Sequence, residues 1–173
     1  MKWLLTLVLS LLLLLPTGLS ARTGYESIPI ATELIAHWEQ YRECAYLPTP
    51  NDRWTYGFGS TYRPDGEPVR RGDCISRMDA ESLLASEIRH IEHLITTDAS
   101  PVLLRREWRA GLSSFVYNVG FGAYSRSTLR RHLLNRNWNG VCVEIVKWDK
   151  QRGQTLRGLT RRRLAEASLM RCK

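Results

Sequence analysis

The sequence holds no Cys-x2-Cys pair, and its histidines, at positions 37, 90, 93 and 132, keep no spacing that serves a metal or a catalytic triad. Zinc is therefore the weaker reading of the cysteines, and no metal or cofactor is called for. There is no internal repeat, no low-complexity linker and no sign of a second domain. Solenoid, fibrous and disordered classes drop out. Acidic residues are scarce in the second half: Pro101 to Lys173 carries four against sixteen basic residues, a net +12, whereas Arg22 to Ser100 carries thirteen against eight, a net −5. Such a basic asymmetry points to an anionic partner.

What stands at the N-terminus narrows that partner. The stretch MKWLLTLVLSLLLLLPTGLSA places a lysine before an unbroken apolar run, then Pro16 and the small-x-small pattern Gly18-Leu19-Ser20. Residues 1–21 read either as a signal peptide cleaved near Ser20 or Ala21 or as an uncleaved signal-anchor, since the run approaches the ~20 residues that span a bilayer. Both readings export the chain, to the periplasm or the extracellular side, with transient membrane association through the leader before release. Export argues against nucleic acid as a partner and leaves phospholipid headgroups and cell-wall polymers; a basic face that only aids solubility is the plainer alternative. Residues 22–173 suffice for one domain with its own core, expected to be a monomer. All four cysteines, Cys44, Cys74, Cys142 and Cys172, follow the leader, and an even count in an exported chain favours two disulfides. Of the three pairings, the expected one joins Cys44 to Cys74 and Cys142 to Cys172, each within one half.

Apolar Ile30, Leu34, Ile35, Trp38 and Tyr41 recur at helical spacing, which predicts a short amphipathic helix over 30–41 with Glu39 near its C-terminal end. The turn-rich LPTPND then leads to RWTYGFGST, residues 53–61. As a strand this stretch puts Trp54, Tyr56 and Phe58 on one face and Thr55, Gly57 and Gly59 on the other, nearly bare one. Asp65-Gly66 signals a hairpin, so a small antiparallel sheet is expected. Everything beyond Ser76 reads as helix. Ser76 with Asp79 makes a capping-box start, and Leu84, Ile88, Ile91 and Ile95 form an apolar stripe. Further helices are expected from Ser100-Pro101 to about Asn118, and after caps at Ser127, Asn139 and Thr160. The fold class is α+β: a small lobe with a short antiparallel sheet and a larger, mainly helical lobe.

Glu39 and Thr55 each have a plain explanation alone, as a solvated helix residue and a residue of high β-propensity. Their setting does not. The segments HWEQYRECAY, RWTYGFGST, GDCIS, SSFVYNVGFGAYSRSTLRRHLLNRNW and GLTRRRLAEASL follow one another in this order. Together they resemble the landmarks of the phage-type lysozymes, the endolysin muramidases of glycoside hydrolase family 24, over nearly the whole chain after the leader.

The resemblance implies a lysozyme-like fold with a sugar-binding cleft between the lobes and cleavage of the bacterial peptidoglycan glycan between N-acetylmuramic acid and N-acetylglucosamine, lysing a host cell. It makes Glu39 the general acid, with an Asp and a Thr placing the water. Thr55 fits the second. Where the Asp is expected the chain has Pro48, and the loop is one residue longer; Asp52, its only carboxylate, is the candidate, with Thr49 second and a turn role for Asn51-Asp52 as the alternative. Gly57 and Gly59 would leave room for a sugar ring against the backbone. Asn118 would line the cleft, and one arginine of Arg161 to Arg163, taken as Arg162, would reach Glu39. The departure at Pro48 keeps two other readings open, a wall-binding protein with weakened catalysis and a lytic transglycosylase.

Overall fold

The computed structural model describes residues 26–99, 102 and 104–172. The expected leader and the Ser100-Pro101 helix start lie outside the described residues. Helix α1 spans Ser27–Glu39, three residues ahead of the predicted start. Pro29 sits in its first turn, where backbone N–H groups have no intrahelical acceptor and a proline removes nothing. Gln40, with φ 56°, turns the chain out of the helix immediately after Glu39. Strand β1 (Arg42–Tyr46) then pairs antiparallel with β2 (Thr55–Gly57), Arg42 opposite Gly57 and Tyr46 opposite Thr55, with an irregularity between. On its other side β1 meets the 73–75 segment, where Ala45 N–H donates to Asp73 O, Ile75 N–H donates to Glu43 O, and Cys44 is bonded to Cys74. Asp65-Gly66 makes the expected turn, closed by Arg63 N–H donating to Glu67 O, but only an isolated bridge, Tyr62 to Pro68, forms beside it.

Helix α2 (Arg77–Asp98) starts as predicted, with Ser76 Oγ accepting from Asp79 N–H. At 22 residues it is about 33 Å long. It therefore belongs to both lobes. Leu84 and Ile88 pack with Ile35, Tyr56, Phe58 and Ile75 in the small-lobe core, and Ile95 packs with Leu112, Phe115, Tyr124 and Leu133 in the larger one. Helix α3 (Arg106–Val119) runs through the larger core; α4 (Phe121–Ser125), α5 (Thr128–Leu134), α6 (Trp138–Ile145) and α7 (Arg157–Leu169) surround it. Ser127 caps α5 as predicted. Asn137 rather than Asn139 caps α6, and Thr160 lies inside α7, its hydroxyl donating to Asp149 at 3.1 Å. Both halves are closed by the expected disulfides, Cys44–Cys74 and Cys142–Cys172, and no cysteine is free.

The helical reading beyond Ser76 misses one hairpin, β3 (Lys150–Gln151) with β4 (Gln154–Thr155). Its two-residue turn, Arg152-Gly153, has φ 50° and 80°. Positive φ at both central residues is the turn that matches strand twist, and arginine in the first position hides it from a composition search.

Close contact of α3 with α7 fixes where the site will lie. A Cβ added at Gly111 would meet Met170 Cγ at 2.7 Å and Glu166 O at 3.2 Å. Gly111→Ala must therefore push α7 away or displace Met170. The expected loss is ~1–3 kcal/mol of stability, typical of overpacking, read as a lower denaturant midpoint with an unchanged slope.

Candidate active site

Glu39 ends α1 with its side chain 24% exposed. A carboxylate at a helix C-terminus faces the negative end of the macrodipole and needs a cation. Arg162 supplies it: Nη1 donates to Glu39 Oε1 at 2.5 Å. The Arg162 side chain is 5% exposed, and its other nitrogens are also used, Nη2 donating to Ser114 O at 3.3 Å and Nε to Glu166 Oε1 at 3.3 Å. One arginine of α7 thus joins α1, α3 and its own helix. Glu166 Oε1 also accepts from Ser114 Oγ at 2.7 Å, and Arg163 Nη1 lies 3.0 Å from Glu166 Oε2. Burial pushes the Glu166 carboxyl up and pulls the Arg163 guanidinium down to about 10, each countered by the charge of the other. Arg163 stacks over Phe115 at 5.0 Å and donates from Nη2 to Asn118 Oδ1 at 2.5 Å.

Of the three expected cations, Arg161 is exposed while Arg162 and Arg163 are buried. Asn118 is exposed on α3. It does not cap the helix; Gly120 does, with φ 83°. Since Oδ1 is held by Arg163, the amide Nδ2 is what Asn118 has left to offer a sugar.

Thr55 opens β2, buried, with Oγ1 donating to Arg53 O at 3.0 Å. Asp52 is exposed in the preceding turn, closed by its own N–H donating to Thr49 O at 3.0 Å. Among the described residues neither makes a hydrogen bond or ion pair with Glu39. The two glycines separate. Gly59, with φ 102°, lies beside the acid: a Cβ there would stand 3.7 Å from Glu39 Oε2 and 3.8 Å from Tyr117 Oη. Gly57 needs correction. A Cβ there would come 3.2 Å from Ala80 Cβ and 3.6 Å from Ile75 Cγ2, so its missing side chain makes room for α2, not for a ligand. The segment is strand only to Gly57, and the positive φ values at 57 and 59 break the alternation on which the bare face was read.

Beside Gly59 lies a groove of about 500 Å³, lined by the 59–64 segment, by Leu83, Glu87 and Ile91 of α2, and by Tyr117 of α3. The residues that motif reading missed are here and behind Arg162: Glu87, Tyr117, Ser114 and Glu166; Arg163, named there only as an alternative to Arg162, pairs with Glu166 and Asn118 instead of Glu39. Glu87 did leave a signal, since it falls on the apolar stripe, three residues after Leu84 and four before Ile91, where a carboxylate has no packing role.

Comparison with known proteins agrees with this geometry. Residues 36–166 match the family described as phage lysozyme. The chain is 32% identical over 140 residues to an endolysin of Acyrthosiphon pisum secondary endosymbiont phage 1, covering 79% of this chain and 91% of that one. It is 30% identical over 158 residues to a SAR-endolysin of Enterobacteria phage PA-2, covering 86% and 90%. An endolysin from Escherichia coli O157:H7 phage FAHEc1 superposes with a TM-score of 0.69 at 26% identity, over 80% of this chain and 89% of that chain. With this family match spanning both Glu39 and the arginine that braces it, the chain belongs to the phage lysozyme family.

Proposed function

We propose that Glu39 is the general acid of this muramidase, protonating the glycosidic oxygen of the peptidoglycan strand. A phage-type lysozyme is a glycoside hydrolase, and the observation that carries the assignment is the Arg162 brace. It holds Oε1, while Oε2 is the oxygen beside Gly59, where the backbone leaves space for a sugar. The proton for the leaving oxygen belongs on Oε2.

The water-placing role falls to Asp52 and Thr55. Thr55 spends its hydroxyl hydrogen on Arg53 O, so its lone pairs are open to accept from a water. The Asp52 carboxylate has no hydrogen bond or ion pair among the described residues and stands in the loop that replaces the family Asp. Asn118 Nδ2 and the Gly59 backbone are the proposed sugar contacts. Asp52→Asn is expected to lower turnover of cell-wall suspensions by about 10²-fold, typical of losing an acid–base group, with an unchanged thermal midpoint. Full activity would return Asp52 to the turn and leave Thr55 alone in the role.

The place of action is outside the cytoplasmic membrane. Two disulfides, the apolar leader and the likeness to a phage SAR-endolysin support periplasmic action, with the leader as a temporary tether and the released enzyme a monomer. Peptidoglycan is the anionic partner that the +12 half suits. The wall-binding and transglycosylase readings are not favoured.

A further inference from the structure

The site just described does not use Glu87, although this half-buried carboxyl lies at the groove wall. Glu87 Oε2 meets Ser60 Oγ at 3.0 Å and Tyr117 Oη at 3.2 Å. The same Tyr117 Oη lies 3.0 Å from Phe58 O. These contacts tie α2 and α3 to both sides of Gly59, the residue beside Glu39 Oε2. The hydrogens decide how they can all be made. Tyr117 has one hydrogen for two acceptors, Phe58 O and an ionised Glu87 Oε2, so an ionised Glu87 leaves one contact unmade. A protonated Glu87 donates to Tyr117 Oη, Tyr117 donates to Phe58 O, and Ser60 Oγ–H still donates to Glu87.

We propose that Glu87 is a positioning residue, a neutral carboxyl that with Tyr117 holds the Phe58–Gly59–Ser60 segment against the cleft beside the general acid. This rests on the assignment of Glu39. Burial also pushes the Glu87 carboxyl up, against the lowering effect of the Ser60 and Tyr117 hydrogen bonds. The charged and titratable groups that face the cluster are Tyr117 of α3, which also feels Glu39 of α1, Tyr56 of the small lobe, and Tyr62, Arg63 and His90 along the groove. Since the folded value is raised, the stabilisation is fully present below the ordinary glutamate range of ~4.3 and is lost as pH rises through the folded value.

The test has two readouts on the full chain. The first is kcat/KM on solubilised peptidoglycan across the mildly acidic to mildly alkaline range, for wild type and Glu87→Gln. Gln donates N–H to Tyr117 Oη at every pH, so the variant-to-wild-type ratio is expected to climb by about tenfold toward the alkaline end, in kcat rather than KM, as small misplacements near reacting groups are costly. The second is infrared: the wild type should show the carbonyl stretch of a neutral carboxyl near neutral pH, absent from Glu87→Gln and shifted in Tyr117→Phe. Should Glu87→Gln not fold, the Tyr117→Phe shift decides alone. Parallel pH profiles, or no neutral-carboxyl band that responds to either change, would overturn the proposal. Failure of the Glu39 assignment would instead leave the band in place and show as turnover by Glu39→Gln.

Discussion

Arg162→Ala is expected to be the most damaging single substitution in the described chain, lowering stability by ~3–5 kcal/mol, the usual result of removing one partner from a buried ionic group. The reason is its connectivity. Arg162 joins Glu39 of α1, Ser114 O of α3 and Glu166 of α7, so its loss removes a contact from each of three helices. Glu166 keeps Arg163 at 3.0 Å, but the Arg163 guanidinium lies over Phe115 with Nη2 on Asn118, so it does not replace Arg162 at Glu39. Against a typical stability of ~5–15 kcal/mol this is a large share. Equilibrium urea unfolding measures it. Arg162→Lys separates structure from positioning: it keeps the charge but replaces a planar fork by a point donor that cannot span three partners. It should recover part of the stability and little of kcat. A stability loss under ~1 kcal/mol for Arg162→Ala would show that the network is solvated and contributes as exposed ion pairs do.

Glu39→Gln carries the largest expected loss of activity, ~10²-fold or more, the scale of losing general acid catalysis. The substitution is nearly isosteric and keeps an oxygen for Arg162 Nη1, so the thermal midpoint should move little. What it removes is a transferable proton. The amide can donate a hydrogen bond to the glycosidic oxygen but cannot release a hydrogen to it, so kcat should fall with KM nearly unchanged. Unchanged kcat in the folded variant would remove Glu39 from the chemistry.

The sequence made some of this arrangement legible and concealed the rest for physical reasons. Local signals hold where the responsible interaction is itself local: Ser76 and Ser127 cap their helices, Leu84, Ile88 and Ile95 of the α2 stripe are buried, and the cysteines pair within each half. Glu39 with Arg162 was reachable by family resemblance only, because 123 residues separate them and nothing in either segment specifies the other. Alternation assumes a continuous strand and so places Gly57 on the cleft side, whereas two positive-φ glycines turn the chain there. The brace behind the arginine is hidden for a different reason. Ser114, Arg163 and Glu166 look like solvated helix residues, and only the close approach of α3 and α7 at Gly111 brings them out of water together. Asp52 is hidden from motif reading because Pro48 stands in the family position and the loop is one residue longer, so its place is set by the turn its own N–H closes on Thr49 O.

The most direct test of the account is mass analysis of the glycan ends released from purified cell walls by the wild-type protein and by Glu39→Gln at equal concentration. A muramidase with Glu39 as its acid releases fragments with reducing N-acetylmuramic acid ends, and the variant releases at least ~10²-fold fewer. Anhydro ends from the wild type, no fragments at all, or equal release by the folded variant would contradict it.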